Sequence, residues 1–284
     1  MQLNNYQASI SRQLVYFTFA DDLSLREFTN YHDITKEKNT TKGKMSKKTS
    51  KRVKNVIDIF CTVLGCNLLK NGGNLKELHK KIKFITLTLS AKQTHDDKFI
   101  RRYMLEQFIQ ILKRKENIKT YIYCSEAQKN GNIHFHIITN KYISHQKIRK
   151  YWNNIQDQYG YIDRFEKKHG HRDPNSTDIH KLNKIHSLPA YLTKYFTKDE
   201  HRREIRGHLW GCSNNLKNIQ YFSKLVDYDT SNSLDFAYEK EHRNVYESDF
   251  FIIFANLNLS DLKQHSPETY SEIIEYYNDL YNGM

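Results

Sequence analysis

Among all stretches of this chain, Ile133-His134-Phe135-His136-Ile137-Ile138 most restricts the fold. Apolar side chains alternate with imidazoles, and a period of two belongs to a β-strand. Ile133, Phe135 and Ile137 then point to one face and can be buried, while His134 and His136 share the other. Residues 120–126 form a second β-forming run, and Gln128-Lys129-Asn130-Gly131 between the two runs signals a hairpin. Such a hairpin commits the chain to a sheet with one apolar face and one face carrying imidazoles.

Loop length sets what stands beside those imidazoles. A two-residue Asn130-Gly131 loop puts Glu126 opposite Phe135 and on the wrong face. A three-residue Lys129-Asn130-Gly131 loop, with Gly131 left-handed after a type I turn, puts Glu126 opposite His134. Glycine is the residue that geometry favours, so the three-residue loop is predicted, and with it a cluster of Glu126, His134 and His136. Two imidazoles and a carboxylate with open positions suit Mg²⁺ or Mn²⁺, whereas a thiolate-rich set would point to structural zinc. Cys124, on the same face as Glu126, reads as a packing residue. His169-Gly170-His171 lacks an apolar frame and reads as a solvated pair in a polar loop spanning residues 164–175.

The flanking pattern places this hairpin in an α+β fold, an antiparallel sheet with helices packed on one face. Lys83-Phe84-Ile85-Thr86-Leu87-Thr88-Leu89-Ser90 alternates apolar with hydroxyl and reads as a strand with Ile85, Leu87 and Leu89 inward. Phe99, Met104, Leu105, Phe108, Ile109 and Leu112 make the apolar stripe of a helix between Asp97 and Lys115, and residues 144–158 form a second amphipathic helix. Residues 176–180 suggest a short strand. Val53, Val56, Ile57, Phe60, Val63 and Leu64 recur at helical steps from Thr49 to the Asn71-Gly72-Gly73-Asn74 turn. Residues 1–40 are weakly patterned, and a helical pattern runs from Asp261 to Tyr281. Three parts are expected: a basic N-terminal helical extension, 1–75; a central domain, 76–226; and an acidic C-terminal helical extension, 227–284.

Charge is distributed unevenly over the 284 residues. Residues 227–284 carry only Lys240, Arg243 and Lys263 against twelve carboxylates, which leaves +22 on residues 1–226 against −9 on the tail. A body this basic points to a polyanion such as nucleic acid. The run Lys42-Gly43-Lys44-Met45-Ser46-Lys47-Lys48-Thr49-Ser50-Lys51-Arg52 is a DNA-contacting arm or a solvated lead-in to the helix. Cys61, Cys66, Cys124 and Cys212 show no Cys-x-x-Cys pairing, consistent with reduced thiols in a cytoplasmic protein. No apolar run is long enough to span a bilayer, so no membrane partner is expected.

Downstream, Tyr191-Leu192-Thr193-Lys194-Tyr195-Phe196-Thr197-Lys198 repeats Tyr-x-x-Lys on a helix that starts at Ser187-Leu188-Pro189. Leu188, Leu192 and Phe196 form its buried stripe, and Tyr191 and Tyr195 stack one turn apart. A phenol with a pKa near ~10 is a weak nucleophile until a metal, base or cation assists its deprotonation. Lys194 and Lys198 are placed to stabilise the phenolate or to meet phosphate.

In this order the motifs resemble those of the HUH endonucleases that initiate rolling-circle replication. The resemblance rests on Phe84-Ile85-Thr86-Leu87-Thr88, on His134-Phe135-His136 with Glu126 before it, and on the doubled Tyr-x-x-Lys. The doubled form is similar to the two-tyrosine initiators (Rep proteins) of single-stranded DNA phages and small bacterial plasmids. Gly207-His208-Leu209-Trp210-Gly211-Cys212-Ser213 resembles a segment that often follows the tyrosine helix in such proteins. The resemblance implies an HUH/RRM-like, ferredoxin-like palm in a bacterial host cytoplasm, with a Mg²⁺ or Mn²⁺ ion held by Glu126, His134 and His136 to polarise a scissile phosphate. One of Tyr191 and Tyr195 attacks, leaving a 5′-phosphotyrosyl link and a free 3′-hydroxyl, and the other cleaves after one round to release a circle. The substrate implied is single-stranded DNA or an origin hairpin, gripped through Lys51, Arg52, Thr86 and Thr88, with Trp210 either a stacking platform or a core residue. The chain holds no Gly-x-x-x-x-Gly-Lys-Ser/Thr, so a host helicase and polymerase are the expected partners. Transposases and conjugative relaxases share the metal motif, and a sequence-specific DNA-binding module without chemistry would also explain the charge. A covalent adduct with DNA separates the last from the rest.

Overall fold

The computed structural model describes residues 6–10, 14–19, 45–180, 182, 188–197, 203–219, 221–226, 245–247, 251–255 and 259–284. Its strands are β1 (Tyr6–Ile10), β2 (Leu14–Phe19), β3 (Lys83–Leu87), β4 (Tyr121–Ala127), β5 (Ile133–Thr139), β6 (Thr177–His180), β7 (Trp210–Cys212), β8 (Phe222–Val226), β9 (Val245–Glu247) and β10 (Phe251–Ala255). The helices of more than one turn that concern the argument are α1 (Lys47–Lys70), α2 (Glu106–Glu116), α3 (His145–Gln158), α4 (Tyr161–His169), α5 (Leu188–Thr197), α6 (Leu259–His265) and α7 (Pro267–Asn282). None is long and apolar enough to cross a membrane.

The chain divides into two compact units, one drawn from Asn39–Ile57 and Asn74–Asn218, the other from Met1–Lys38, Asp58–Gly73 and Ile219–Gly283. In the first unit five antiparallel strands run in the order β6-β3-β5-β4-β7, so the fold is α+β. Alternation along each strand sorts the side chains by face. Ile85 and Leu87, Tyr121, Tyr123 and Ala127, and Ile133, Phe135 and Ile137 turn inward to meet Met104, Leu105, Phe108, Ile109 and Leu112 of the α2 region and Ile148, Trp152 and Ile155 of α3. Trp152 is fully buried and its indole N–H donates to the Thr88 carbonyl at 2.6 Å, which satisfies the one polar atom that burial would otherwise penalise.

The long helical stretch expected between Asp97 and Lys115 is three joined pieces: a turn at Asp97–Phe99, a π-helical segment at Ile100–Leu105, and α2. Asp96 caps its start, accepting from the Phe99 amide at 2.7 Å, and left-handed Asn117 ends it. Ser144 caps α3 through the Lys147 amide.

The polar loop expected over residues 164–175 is corrected by α4, which runs to His169. Tyr161 and Ile162 are buried and anchor its first turn, Phe165 lies half-buried, and Gly170 in the left-handed conformation stops it. His169 and His171 are exposed, one on each side of that glycine, as a solvated pair should be. Arg172 folds back on Asp157, Asp163 and Glu166. These charges, which look like loop composition in the sequence, decorate the outer face of a helix.

The second unit contains strands that the sequence reading did not anticipate. Its sheet runs β8-β1-β2-β10-β9, antiparallel throughout, so the weakly patterned N-terminus supplies its middle. The helical pattern at residues 261–281 is realised as α6 and α7. Tyr277 of α7 is buried and its hydroxyl accepts from the Phe222 amide of β8 at 3.0 Å. Asn67, near the end of α1, donates to Asn278 of α7 at 3.0 Å.

Candidate metal centre

Strands β4 and β5 pair with Glu126 opposite His134 and Ala127 opposite Ile133. The Gln128 amide donates to the Asn132 carbonyl at 2.8 Å, and the Gly131 amide to the Gln128 carbonyl at 2.9 Å. The loop is therefore Lys129-Asn130-Gly131, three residues long, with Gly131 at φ 85° where a side chain would be strained. This register turns Glu126 to the same face as His134 and His136.

On that face both imidazole Nε2 atoms lie 3.1 Å from one carboxylate oxygen, Glu126 Oε2. The two rings stand 4.6 Å apart and are inclined by 68°. Among the described residues, these three side chains form a group in which every potential ligand atom lies within 4.8 Å of the others. Two donors at right angles around an ion with ~2.1 Å bonds stand ~3.0 Å apart, so the observed spacing suits a hard divalent cation. Nitrogen and carboxylate donors fit the same choice, and the residues present fit such an ion.

Electrostatics favour a ligand-ready state. Burial would raise the Glu126 carboxyl, but the hydrogen bonds and charges of His134 and His136 outweigh it and hold the group well below the usual carboxylate range. Glu126 is thus ionised at neutral pH. Burial lowers His136, which keeps its ring neutral and able to offer a lone pair. Cys124, on the same face, is fully buried with its thiol pushed up by burial, and it is not among the grouped ligand atoms.

Behind His136, toward the sheet edge, lies β3. Thr86 opposes His136 across the pairing and is buried, with its Oγ1 2.9 Å from His136 Nδ1 and 2.8 Å from His180 Nε2 on β6. His180 also stacks on Phe84, with ring centroids 4.5 Å apart. Asp178, two residues before it, approaches its Nε2 at 3.8 Å. His180 was absent from the sequence-derived candidates. Its only signal was a place two residues from Asp178 on a short strand, and nothing local said which strand that one would join.

Helix α5 meets this face through Phe84, whose ring lies 6.3 Å from that of Tyr191, edge-on, and 6.2 Å from Phe196. The same Phe84 ring is 5.3 Å from His136. Leu192 and Phe196 are buried, Tyr191 is half-buried and Lys194 is exposed. The side chains of Leu188 and Tyr195, and Ser187 and Lys198 entirely, lie outside the described residues. Thr88 donates its hydroxyl to the Ser176 carbonyl at 2.9 Å. On the opposite edge Trp210 pairs with Cys124 and is half-buried, with the Arg52 guanidinium 5.9 Å from its ring centroid, while Lys51 is exposed.

Fold and cluster together define an α+β protein whose sheet carries a two-histidine, one-carboxylate candidate metal centre beside a tyrosine-bearing helix. Residues 82–200, less than half of the chain, match the model of the replication-associated protein family of the ORF2 type. That segment spans β3 to α5 and thus every residue of the cluster, and the match supports a replication-initiator role. No curated protein and no solved structure matches the chain.

Proposed function

We propose that the protein nicks and rejoins single-stranded DNA at a replication origin by tyrosine transesterification. The observation that carries this reading is the convergence of Glu126, His134 and His136 on the sheet face against which α5 packs Tyr191. The chemistry is assigned to residues 76–226, and the family match over residues 82–200 supports that assignment.

Each group then has a task. Glu126, His134 and His136 hold Mg²⁺ or Mn²⁺, which supplies Lewis-acid charge to a non-bridging oxygen of the scissile phosphate. Tyr191 Oη bonds to phosphorus and its proton leaves to solvent. The bond from phosphorus to the 3′ oxygen breaks, and that oxygen takes up a proton from water. One phosphoester is exchanged for another, so the link is reversible and a 3′-hydroxyl can attack it to rejoin the strand. Lys194 lies three residues along the helix from Tyr191, a spacing that brings its ammonium to the same side to favour the phenolate. Tyr195 and Lys198 repeat this pair one turn on and serve the second cleavage. Lys51 and Arg52 hold backbone phosphates, and Trp210 offers a stacking surface. Strand separation and extension of the 3′-hydroxyl come from a helicase and a polymerase.

The test is adduct formation. Wild type, Tyr191→Phe, Tyr195→Phe and the double variant are incubated with Mn²⁺ and single-stranded oligonucleotides from the replicon, and adducts are mapped by mass spectrometry. A 5′-phosphate on Tyr191 or Tyr195 is expected in wild type, with no adduct and no cleavage in the double variant. Cleavage that survives in the double variant would mean water is the nucleophile and would overturn the tyrosine mechanism.

A further inference from the structure

Thr86 sits at an unusual crossing: one hydroxyl, buried in the sheet face, lies within hydrogen-bond distance of two imidazole nitrogens on different strands. A hydroxyl has one proton to give and lone pairs to accept with, so it bonds both rings only if one donates to it and the other accepts from it. Two arrangements satisfy this. With His136 protonated at Nε2 and donating to Glu126, its Nδ1 accepts from Thr86, and His180 Nε2 donates to the Thr86 oxygen. With His136 Nε2 given over to a cation, its proton sits on Nδ1 and is donated to Thr86, whose own proton turns to His180 Nε2. Every nitrogen keeps a partner in both.

We propose that Thr86 and His180 form a reversible hydrogen-bond relay that anchors His136 in either tautomer, so that both are positioning residues for the metal centre. This rests on the reading that Glu126, His134 and His136 hold a divalent ion. The residue types are those the relay requires. A valine at 86 has no proton to reverse, and a side chain at 180 must switch between donor and acceptor at one atom, which imidazole does by changing tautomer. The stacking of His180 on Phe84 fixes its ring plane. His134 provides the contrast: its Nδ1 is buried and makes no hydrogen bond among the described residues, so the relay serves one ligand of the two. Groups that orient a ligating imidazole through its far nitrogen typically change metal affinity by about 10- to 100-fold when removed.

The experiment is calorimetric titration of the full chain with MnCl₂ and no DNA, comparing wild type with Thr86→Ser, Thr86→Val, His180→Phe and His136→Ala. The relay is expected to give Thr86→Ser an affinity close to wild type, to weaken Thr86→Val about 10-fold or more, and to weaken His180→Phe in the same direction although phenyl keeps the stack on Phe84. Side-chain nitrogen NMR of the Mg²⁺-loaded wild type is expected to find the His136 proton on Nδ1. If His136→Ala loses Mn²⁺ while Thr86→Val and His180→Phe bind as wild type does, the relay is wrong and the metal centre stands. If His136→Ala also binds as wild type does, the metal centre falls and the relay with it. Should Thr86→Val fail to fold, His180→Phe and the NMR assignment decide, and a loaded His136 protonated on Nε2 overturns the relay.

Discussion

Asp97 is 3 % exposed, and its carboxylate is enclosed by four donors. Gln93 Nε2 and Arg203 Nη2 reach Oδ1 at 2.8 and 2.7 Å, and Arg203 Nη1 and the Arg206 amide reach Oδ2 at 2.7 and 2.9 Å. Burial would raise this carboxyl, but the Arg203, Gln93 and Arg206 hydrogen bonds prevail and hold it below its ordinary value. The bidentate Arg203 pair ties the segment after α5 to the turn that starts the π-helical stretch, and Arg203 also donates to the Gly131 carbonyl at 2.6 Å in the hairpin loop. A carboxyl with a depressed folded pKa stabilises the fold fully above its unfolded value, and the stabilisation is lost as pH falls through the folded value. Asp97→Asn is therefore expected to cost about 3 kcal/mol at pH 7 by urea unfolding. The gap to wild type is expected to begin narrowing below about pH 4, where the unfolded carboxyl protonates. A gap that stays constant from pH 7 to pH 3 would show that the charge on Asp97 does not matter to the fold.

Elements differ in how far their residues announce them. The β4–β5 hairpin was legible because its information is local: an alternation, a glycine and the requirement that Glu126 face His134 select one loop length and one register. α4 was not, because its apolar side is only Tyr161, Ile162 and Phe165, while the charges binding Arg172 imitate a loop. β7 is a third case, three residues at the sheet edge, recognisable only through its pairing with β4. Gly211 lies opposite Tyr123, and a Cβ there would stand 2.7 Å from the Tyr123 ring, which is buried and cannot swing away. Gly211→Ala is expected to cost about 1–3 kcal/mol, either by overpacking or by detaching β7. Tryptophan emission separates the two, since Trp152 is fully buried and the only other indole is Trp210. A red shift reports detachment, and lost stability without a shift reports strain. An unchanged unfolding midpoint and spectrum would mean that the edge strand does not pack on Tyr123.

For the molecule as a whole, sequence distance is what concealed half of the architecture. The sheet of the central unit pairs runs that all lie between residues 83 and 212, and most of its strands could be read one by one. In the other sheet, β2 at Leu14–Phe19 pairs with β10 at Phe251–Ala255, and β1 pairs with β8 at Phe222–Val226. No local pattern in the first 40 residues names partners more than 200 positions away, and the acidic composition after residue 226 suggested a separable extension. The pairing argues otherwise. β10 lies between β2 and β9, so a chain ending at Val226 loses both and leaves β2 with a row of unpaired N–H and C=O groups. It also loses α7, whose Tyr277 hydroxyl accepts from β8. An open edge beside the β-forming run Leu14-Val15-Tyr16-Phe17-Thr18-Phe19 is a template for association with other chains. Residues 1–226 alone are therefore expected to melt at least ~5 °C below the full chain and to elute from size exclusion as associated species. Their net charge of +22 would oppose that association through mutual repulsion, most strongly at low ionic strength. Added salt screens the repulsion but leaves the open edge in place, so association of the truncated chain should rise with salt. A truncated chain that stays monomeric at 0.5 M NaCl with an unchanged melting temperature would show that the β10–β2 pairing does not hold this sheet together.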